Sequence, residues 1–117
     1  MSETLEGLKV IELGNFIAGP FASKIFSEFG ADVIKIESPE KGDPLREWRH
    51  IYEGRSLWWR LQSRNKKSLT VNMKKEEGQE IVRQLVKEAD ILIENFKPGT
   101  LEKWNLSYED LKEINPR

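Results

Sequence analysis

The sequence predicts an α/β fold built on a parallel sheet. Two observations carry this reading. Short β-branched apolar runs alternate with longer amphipathic stretches, and glycine or proline separates one from the next. The runs are also largely apolar throughout, as strands buried on both faces are. Leu8-Lys9-Val10-Ile11-Glu12-Leu13 is the first strand, stopped by Gly14. After the loop Asn15 to Gly19, Pro20 suits the first turn of a helix, where its missing N–H costs nothing. Phe21, Ala22, Ile25, Phe26 and Phe29 then form one apolar stripe, expected to bury the helix on the sheet, and Gly30 ends it. Residues 31–37 make the second strand, broken by Pro39 and Gly42, which completes a βαβ unit.

Residues 38–55 show no clear period and read as a long loop, a feature that is usually functional or mobile in a compact domain. Ser56 is placed to cap a short helix through Leu61. The basic turn Arg64-Asn65-Lys66-Lys67 follows, then a third strand over residues 68–72. Helix 75–89 carries Ile81, Val82, Leu85, Val86 and Ala89 on one face, and Ile91-Leu92-Ile93 is the fourth strand. The last helix has Ser107 as N-cap, Asp110 three positions on, and Leu106 against Leu111 as a staple. The pattern stops at Asn115-Pro116-Arg117, where a further strand is the next expected element, so the sheet reads as incomplete, with about four strands.

Composition narrows the function classes. The 117 residues carry 19 Lys+Arg against 20 Asp+Glu, so there is no basic field for a nucleic-acid backbone. No apolar run approaches the roughly 18 residues of a membrane span. Zero cysteines exclude a disulfide scaffold, a thiolate nucleophile and cysteine-ligated zinc, and the single His50 excludes a site needing two histidines. No metal-ligand spacing occurs. Met1-Ser2-Glu3-Thr4 is no cationic apolar leader, so a cytoplasmic protein is expected.

In open parallel sheets ligands bind outside the carboxyl ends of the strands. Right-handed crossovers put Glu12 to Asn15, Glu37-Ser38, Asn72 and Glu94-Asn95-Phe96 along that edge. Gly14 and Gly19 frame a strand-to-helix turn suited to an anion, and Glu37 falls where a dinucleotide fold holds its ribose-binding acid. The spacing is nevertheless G-x-x-x-x-G, which favours a structural turn with a different nucleotide ligand over an NAD-type site. Lys66, Lys67, Lys74, Lys97 and Lys103, with Phe96, are assigned to the same edge. The mixture suits a phosphate-bearing, partly apolar ligand, although by charge alone it reads as a solvated surface. Trp58-Trp59 read as core or interface anchors, and His50 as a surface histidine.

The segments Leu5-Glu6-Gly7-Leu8-Lys9-Val10-Ile11-Glu12-Leu13, Ala18-Gly19-Pro20-Phe21-Ala22, Phe29-Gly30-Ala31-Asp32-Val33-Ile34-Lys35-Ile36-Glu37, Gly42-Asp43-Pro44-Leu45-Arg46, Ser63-Arg64-Asn65-Lys66-Lys67-Ser68, Glu94-Asn95-Phe96-Lys97-Pro98-Gly99-Thr100-Leu101 and Ile114-Asn115-Pro116-Arg117 follow one another in collinear order. Together they resemble the N-terminal part of the class III (CaiB/BaiF-like) CoA-transferases, over essentially the whole chain. The resemblance implies that residues 1–117 are the N-terminal part of a Rossmann-like domain that binds coenzyme A. The full protein would be roughly three times longer, with a second domain, and would form an interlocked homodimer. It places CoA contacts on Ile17 and Ala18, on Val71, Asn72, Met73 and Lys74, on Asn95, Phe96 and Lys97, and on Lys103. Lys74, Lys97 and Lys103 would face phosphates, with Phe96 and the main chain of residues 71–73 at the adenosine end.

The implied activity moves CoA between an acyl-CoA and a free carboxylic acid through an aspartyl-CoA intermediate. No aspartate here matches the family's nucleophile, so no catalytic residue is assigned and the isolated chain is expected to be inactive. Two departures bear on the substrate: members acting on formate or oxalate carry glutamine at the position of Ile17 and arginine at that of Ser38. The alternatives are an α-methylacyl-CoA racemase, disfavoured by the long segment holding Ser56-Leu57-Trp58-Trp59, and a non-enzymatic CoA-binding or dimerisation fragment.

Overall fold

A computed structural model describes residues 2–117. The parallel strands are β1 (Lys9–Glu12), β2 (Asp32–Glu37), β5 (Lys66–Thr70) and β6 (Ile91–Ile93), and they lie in the order β5-β2-β1-β6. Counting these four alone, the order is 3-2-1-4, the start of the order found in doubly wound sheets. β1 pairs β2 from Lys9↔Asp32 to Glu12↔Lys35, and on its other side pairs β6 from Val10↔Ile91 to Glu12↔Ile93. The expected α/β class and four-stranded parallel sheet are both present. The third strand lies two residues earlier than its apolar pattern indicated, opening on Lys66 instead of Ser68.

Helices cover both faces. On one, α3 (Glu76–Val86) and α5 (Tyr108–Ile114) pack over Ile11, Leu13 and Ile36, joined by Val71, Met73, Val82, Val86 and Leu106 in one apolar cluster. The end of this layer is well specified locally. Ser107 and Asp110 form a reciprocal capping box, while Leu106 is fully buried and Leu111 packs on the same cluster. A short helix, α4 (Thr100–Lys103), precedes it after Gly99, whose φ of 90° only glycine adopts readily.

The other face departs from expectation. Helix α1 (Ala18–Glu28) buries only part of its apolar stripe: Phe26 packs against Val10, Ala31 and Val33, but Phe21, Ile25 and Phe29 are 49%, 41% and 53% exposed. It turns Gly19, Pro20, Ser23 and Ser27 inward instead, because the strand positions beneath it alternate from Val10 and Val33 to Glu12, Lys35 and Glu37. Lys35 Nζ lies 2.7 Å from Glu12 Oε1, 2.8 Å from Asp43 Oδ2 and 3.0 Å from the Gly14 carbonyl. Ser23 donates to Glu12 Oε2 at 2.6 Å, and Lys66 Nζ reaches the same oxygen at 2.9 Å. Burial pulls the Lys66 ammonium below the ordinary lysine range, against the opposing charge of Glu12.

The stretch read as a loop over residues 38–55 is structured: it holds a 3-10 turn (Pro44–Glu47) and the hairpin of β3 (Ile51–Tyr52) and β4 (Arg55–Ser56), and the expected short helix follows as α2 (Leu57–Gln62). Glu53 and Gly54 both have positive φ, the signature of a tight hairpin turn. Ser56 caps α2 by accepting from the Trp59 N–H, as predicted. The Gly42-Asp43-Pro44-Leu45-Arg46 run plugs the charged face. A Cβ on Gly42 would meet Glu37 Oε1 at 2.7 Å, Leu45 is fully buried, and Arg46 grips Glu37 with two bonds of 2.8 and 2.7 Å. The Arg46 guanidinium stacks 3.8 Å from the centre of the half-buried Trp59 ring, which makes that tryptophan an internal anchor.

Removing one partner of a buried pair strands the other's charge, so Lys35→Ala lowers the unfolding free energy by about 3–5 kcal/mol in urea denaturation. Lys67→Ala, whose partner Asp32 is exposed, changes it little. Burial raises the Glu37 carboxyl, but hydrogen bonds from Arg46, Ser68 and the Asp43 N–H outweigh it and bring the group from 4.5 to about 2. Its contribution is therefore complete above about pH 4.5 and is lost as pH falls toward 2. The urea midpoint of Glu37→Gln falls less steeply with acid across that window than that of the unmutated chain.

Candidate functional site at the carboxyl edge of the sheet

Three of the segments at the carboxyl edge are residues 13–17 after β1, 71–75 after β5, and 94–99 after β6, beside the turn that follows β2. The sheet order reverses between β1 and β6, so the first and third meet at the switch point where doubly wound folds take their ligands. Leu13 extends β1 by donating to the Ile93 carbonyl at 2.8 Å, and Val71 continues β5 by donating to the Glu37 carbonyl at 2.9 Å. These bonds bring the segments to the edge in a common frame.

Val71 and Met73 point into the apolar cluster, which leaves the main chain of this turn and the half-buried Asn72 at the edge. Asn72 Oδ1 accepts from the Lys74 N–H at 3.1 Å, closing the turn ahead of α3. Phe96 packs on the same cluster and meets Trp104 edge to face, with centroids 5.3 Å apart. Val71, Met73 and Phe96 thus share one apolar cluster although they lie far apart in the chain, with Lys74 and Lys97 next to them in sequence. The Lys74, Lys97 and Lys103 side chains are exposed, and none joins an ion pair among the described residues.

Ile17 and Ala18 open α1. Ile17 gives the first turn no side-chain cap, and Pro20 has no N–H, so the main chain here faces the edge without a side-chain partner. The Asn95 side chain bonds the main chain of Asn15, accepting from the N–H and donating to the carbonyl, each at 2.9 Å.

Two residues assigned to this edge lie elsewhere. Lys66 and Lys67 open β5 at its amino end, where Lys66 is drawn inward by Glu12 and the Pro20 carbonyl, and Lys67 pairs with Asp32 at 2.8 Å. Glu37 does not offer a ribose-binding carboxylate, because Arg46, Ser68 and the Asp43 N–H occupy it. His50 is exposed, as expected. The pattern reading missed Asp43, which is wholly buried and accepts from the Phe16 N–H at 3.0 Å. Its only sequence signal is a position before Pro44, where aspartate caps a turn.

A cavity of about 300 Å³ adjoins the edge, bounded by Phe16, Lys41, Asp43, Pro44, Glu47 and Trp48. Another, of about 330 Å³, runs between α5 and the outer side of β6 and is lined by Leu92, Leu101, Leu106 and Leu111. The carboxylates of Glu12, Glu37 and Asp43 are each neutralised by a lysine or arginine, and Glu94 accepts from the Phe96 N–H at 2.8 Å. The arrangement suits binding of an anionic, partly apolar molecule more than bond-making by these acids. No cluster of metal-ligating side chains occurs among the described residues.

Residues 5–117 match the family CoA-transferase family III. The chain is 53% identical over 113 residues to a succinyl-CoA–D-citramalate CoA-transferase of Chloroflexus aurantiacus, covering 96% of this chain and 28% of that protein. It is 42% identical over 118 residues to a formyl-CoA:oxalate CoA-transferase of Escherichia coli, covering 100% of this chain and 28% of the relative. Among solved structures, a CaiB/BaiF family protein from Brucella suis superposes with a TM-score of 0.90 at 47% identity, over 98% of this chain and 32% of that one. The chain therefore spans under a third of the length of these relatives. With the motifs, the sheet order and the edge loops in agreement, the chain belongs to CoA-transferase family III.

Proposed function

We propose that the whole protein transfers CoA between an acyl-CoA thioester and a free carboxylic acid, and that residues 1–117, as the N-terminal part of its Rossmann-like domain, supply much of the CoA site. The observation that supports the reading is that Val71, Met73 and Phe96 share one apolar cluster at segments of the carboxyl edge, with the exposed Lys74 and Lys97 next to them in the chain and, like Lys103, in no ion pair among the described residues. In this reading Lys74, Lys97 and Lys103 meet phosphates, the main chain of Val71, Asn72 and Met73 with the Phe96 ring borders the adenosine end, and Ile17 and Ala18 contact CoA through the main chain at the start of α1. The exposed ammonium groups act through charge and hydrogen bonds.

The chemistry is carried by an aspartate carboxylate that matches none in this chain and is supplied from elsewhere in the whole protein. It attacks the thioester carbonyl and expels the CoA thiolate, giving a mixed anhydride. The thiolate then attacks the aspartyl carbonyl, releasing the first acid as its carboxylate and leaving an aspartyl-CoA thioester. The acceptor carboxylate reverses both steps, so CoA ends on the new acid and the aspartate is regenerated. The names of the similar proteins, succinyl-CoA–D-citramalate and formyl-CoA:oxalate CoA-transferase, support transfer over racemisation. The long structured segment between β2 and β5 supports the same choice. A cytoplasmic homodimer belongs to the same reading and rests on the family resemblance.

Isothermal titration of the chain with CoA tests the site. Lys97→Ala and Lys103→Ala weaken binding, with the largest effect at low salt because the lost contacts are charge contacts at the surface; unchanged affinity in both would remove them from the site. In acyl-CoA:carboxylate exchange assays the chain alone is inactive. Measurable turnover would mean that the nucleophile lies within these residues.

A further inference from the structure

The loop between β1 and α1 is held in an unfavourable conformation from several sides. Phe16 has φ 63°, in the left-handed region that costs a non-glycine residue about 1 kcal/mol or more, and its ring is 40% exposed and only edge-on to Trp48. Packing of that ring is a weak reason for the strain. The main chain is instead gripped residue by residue: Lys35 Nζ donates to the Gly14 carbonyl at 3.0 Å, the Asn95 carboxamide takes both polar groups of Asn15, and Asp43 Oδ1 accepts from the Phe16 N–H at 3.0 Å. Gly14 and Gly19 close the loop so tightly that a Cβ on Gly19 would lie 3.2 Å from the Gly14 Cα and 3.1 Å from Asn95 Oδ1. A Cβ on Gly14 would collide with the same Asn95 oxygen. The grips come from β2, from the turn after it and from the segment after β6, and they act on the three residues immediately before Ile17 and Ala18.

We propose that Asn95 and Asp43 are positioning residues for the acyl-CoA site: from opposite sides they fix the Gly14–Gly19 loop so that the main chain of Ile17 and Ala18 is presented at the switch point of the sheet. The proposal rests on the reading that this loop contacts CoA, and it changes the role of Asn95, whose side chain acts on the loop and not on the ligand. Asn95 bridges the crevice between β1 and β6 with two hydrogen bonds, so its loss frees the loop without removing a charge. The effect on affinity then differs in kind from that of a lysine at the edge.

Asn95→Ala is compared with Lys97→Ala and the unmutated chain by CoA titration across salt concentrations, with amide exchange followed residue by residue. In Asn95→Ala the Asn15 and Phe16 amides lose protection while those of β1 and β2 keep theirs, and CoA binds about tenfold more weakly with an unchanged salt dependence. Gly14→Ala is disruptive alone and costs less when combined with Asn95→Ala, which removes the carboxamide it strikes. Unaltered protection at Asn15, or unaltered CoA affinity with the loop released, overturns the proposal. A changed salt dependence like that of Lys97→Ala overturns it too, by making Asn95 part of the charged contact surface. Failure of the unmutated chain to bind CoA overturns the underlying reading, whereas the exchange result still decides whether Asn95 holds the loop.

Discussion

The ammonium of Lys35 is the point on which the charged half of this structure depends. It sits in the second strand, almost wholly excluded from water, where it donates to Glu12 and the carbonyl of Gly14 and forms an ion pair with Asp43. Either charge buried there without the other would carry the desolvation cost of an unpaired ion. Each group is tolerable because the other is present. Glu12 stands directly beside Lys35 in the β1–β2 register, so the pair ties neighbouring strands, while Asp43 brings in the loop after β2 and Gly14 the loop after β1. One buried charge thus connects the middle of the sheet to the edge where ligand is expected.

This lattice explains why the two faces of the sheet are so unlike. Beneath α3 and α5 the strand residues are Ile11, Leu13, Ile34 and Ile36, and burial there is ordinary hydrophobic packing. Beneath α1 only the amino half is apolar, with Val10, Ala31 and Val33, and the carboxyl half is ionic. Helix α1 meets that surface with Ser23, Ser27 and the close-packing Gly19 and Pro20, since a serine hydroxyl satisfies Glu12 and a phenylalanine cannot. Phe21, Ile25 and Phe29 are consequently left on the outer side. Directional bonds hold the carboxyl edge in place, which suits a surface whose loops must keep one geometry to meet a ligand.

Much of the candidate site was legible in sequence as a set of places. Strand ends, the glycines framing the first loop, and the Asn95-Phe96-Lys97 and Val71-Asn72-Met73-Lys74 segments were located from pattern and resemblance, and the structure gathers most of them at one edge. The work of each side chain was less legible. Asn95 is placed among the CoA contacts by resemblance, but no local pattern shows its amide on Asn15, 80 positions earlier. Lys66 and Lys67 read as edge cations because a basic turn ahead of an apolar run looks solvent-facing; the strand in fact opens on them, and Lys66 turns inward to Glu12, 54 residues away.

The sequence by itself determined the order and kind of the main elements, since hydrophobic period, helix caps and glycine or proline breaks are local signals. The Ser107–Asp110 capping box and the Ser56 cap formed where those signals placed them. Tertiary structure decided which face of α1 turned inward, that Glu12, Lys35, Glu37 and Asp43 would be buried, and that Phe16 would hold a left-handed conformation. The reason is that a charge enters the interior only with its counter-charge, and here the partners lie 23 and 54 residues apart in the chain. No local window contains both halves of such a pair. Only folding shows that a glutamate in an otherwise apolar strand will be buried and answered by a lysine in the next.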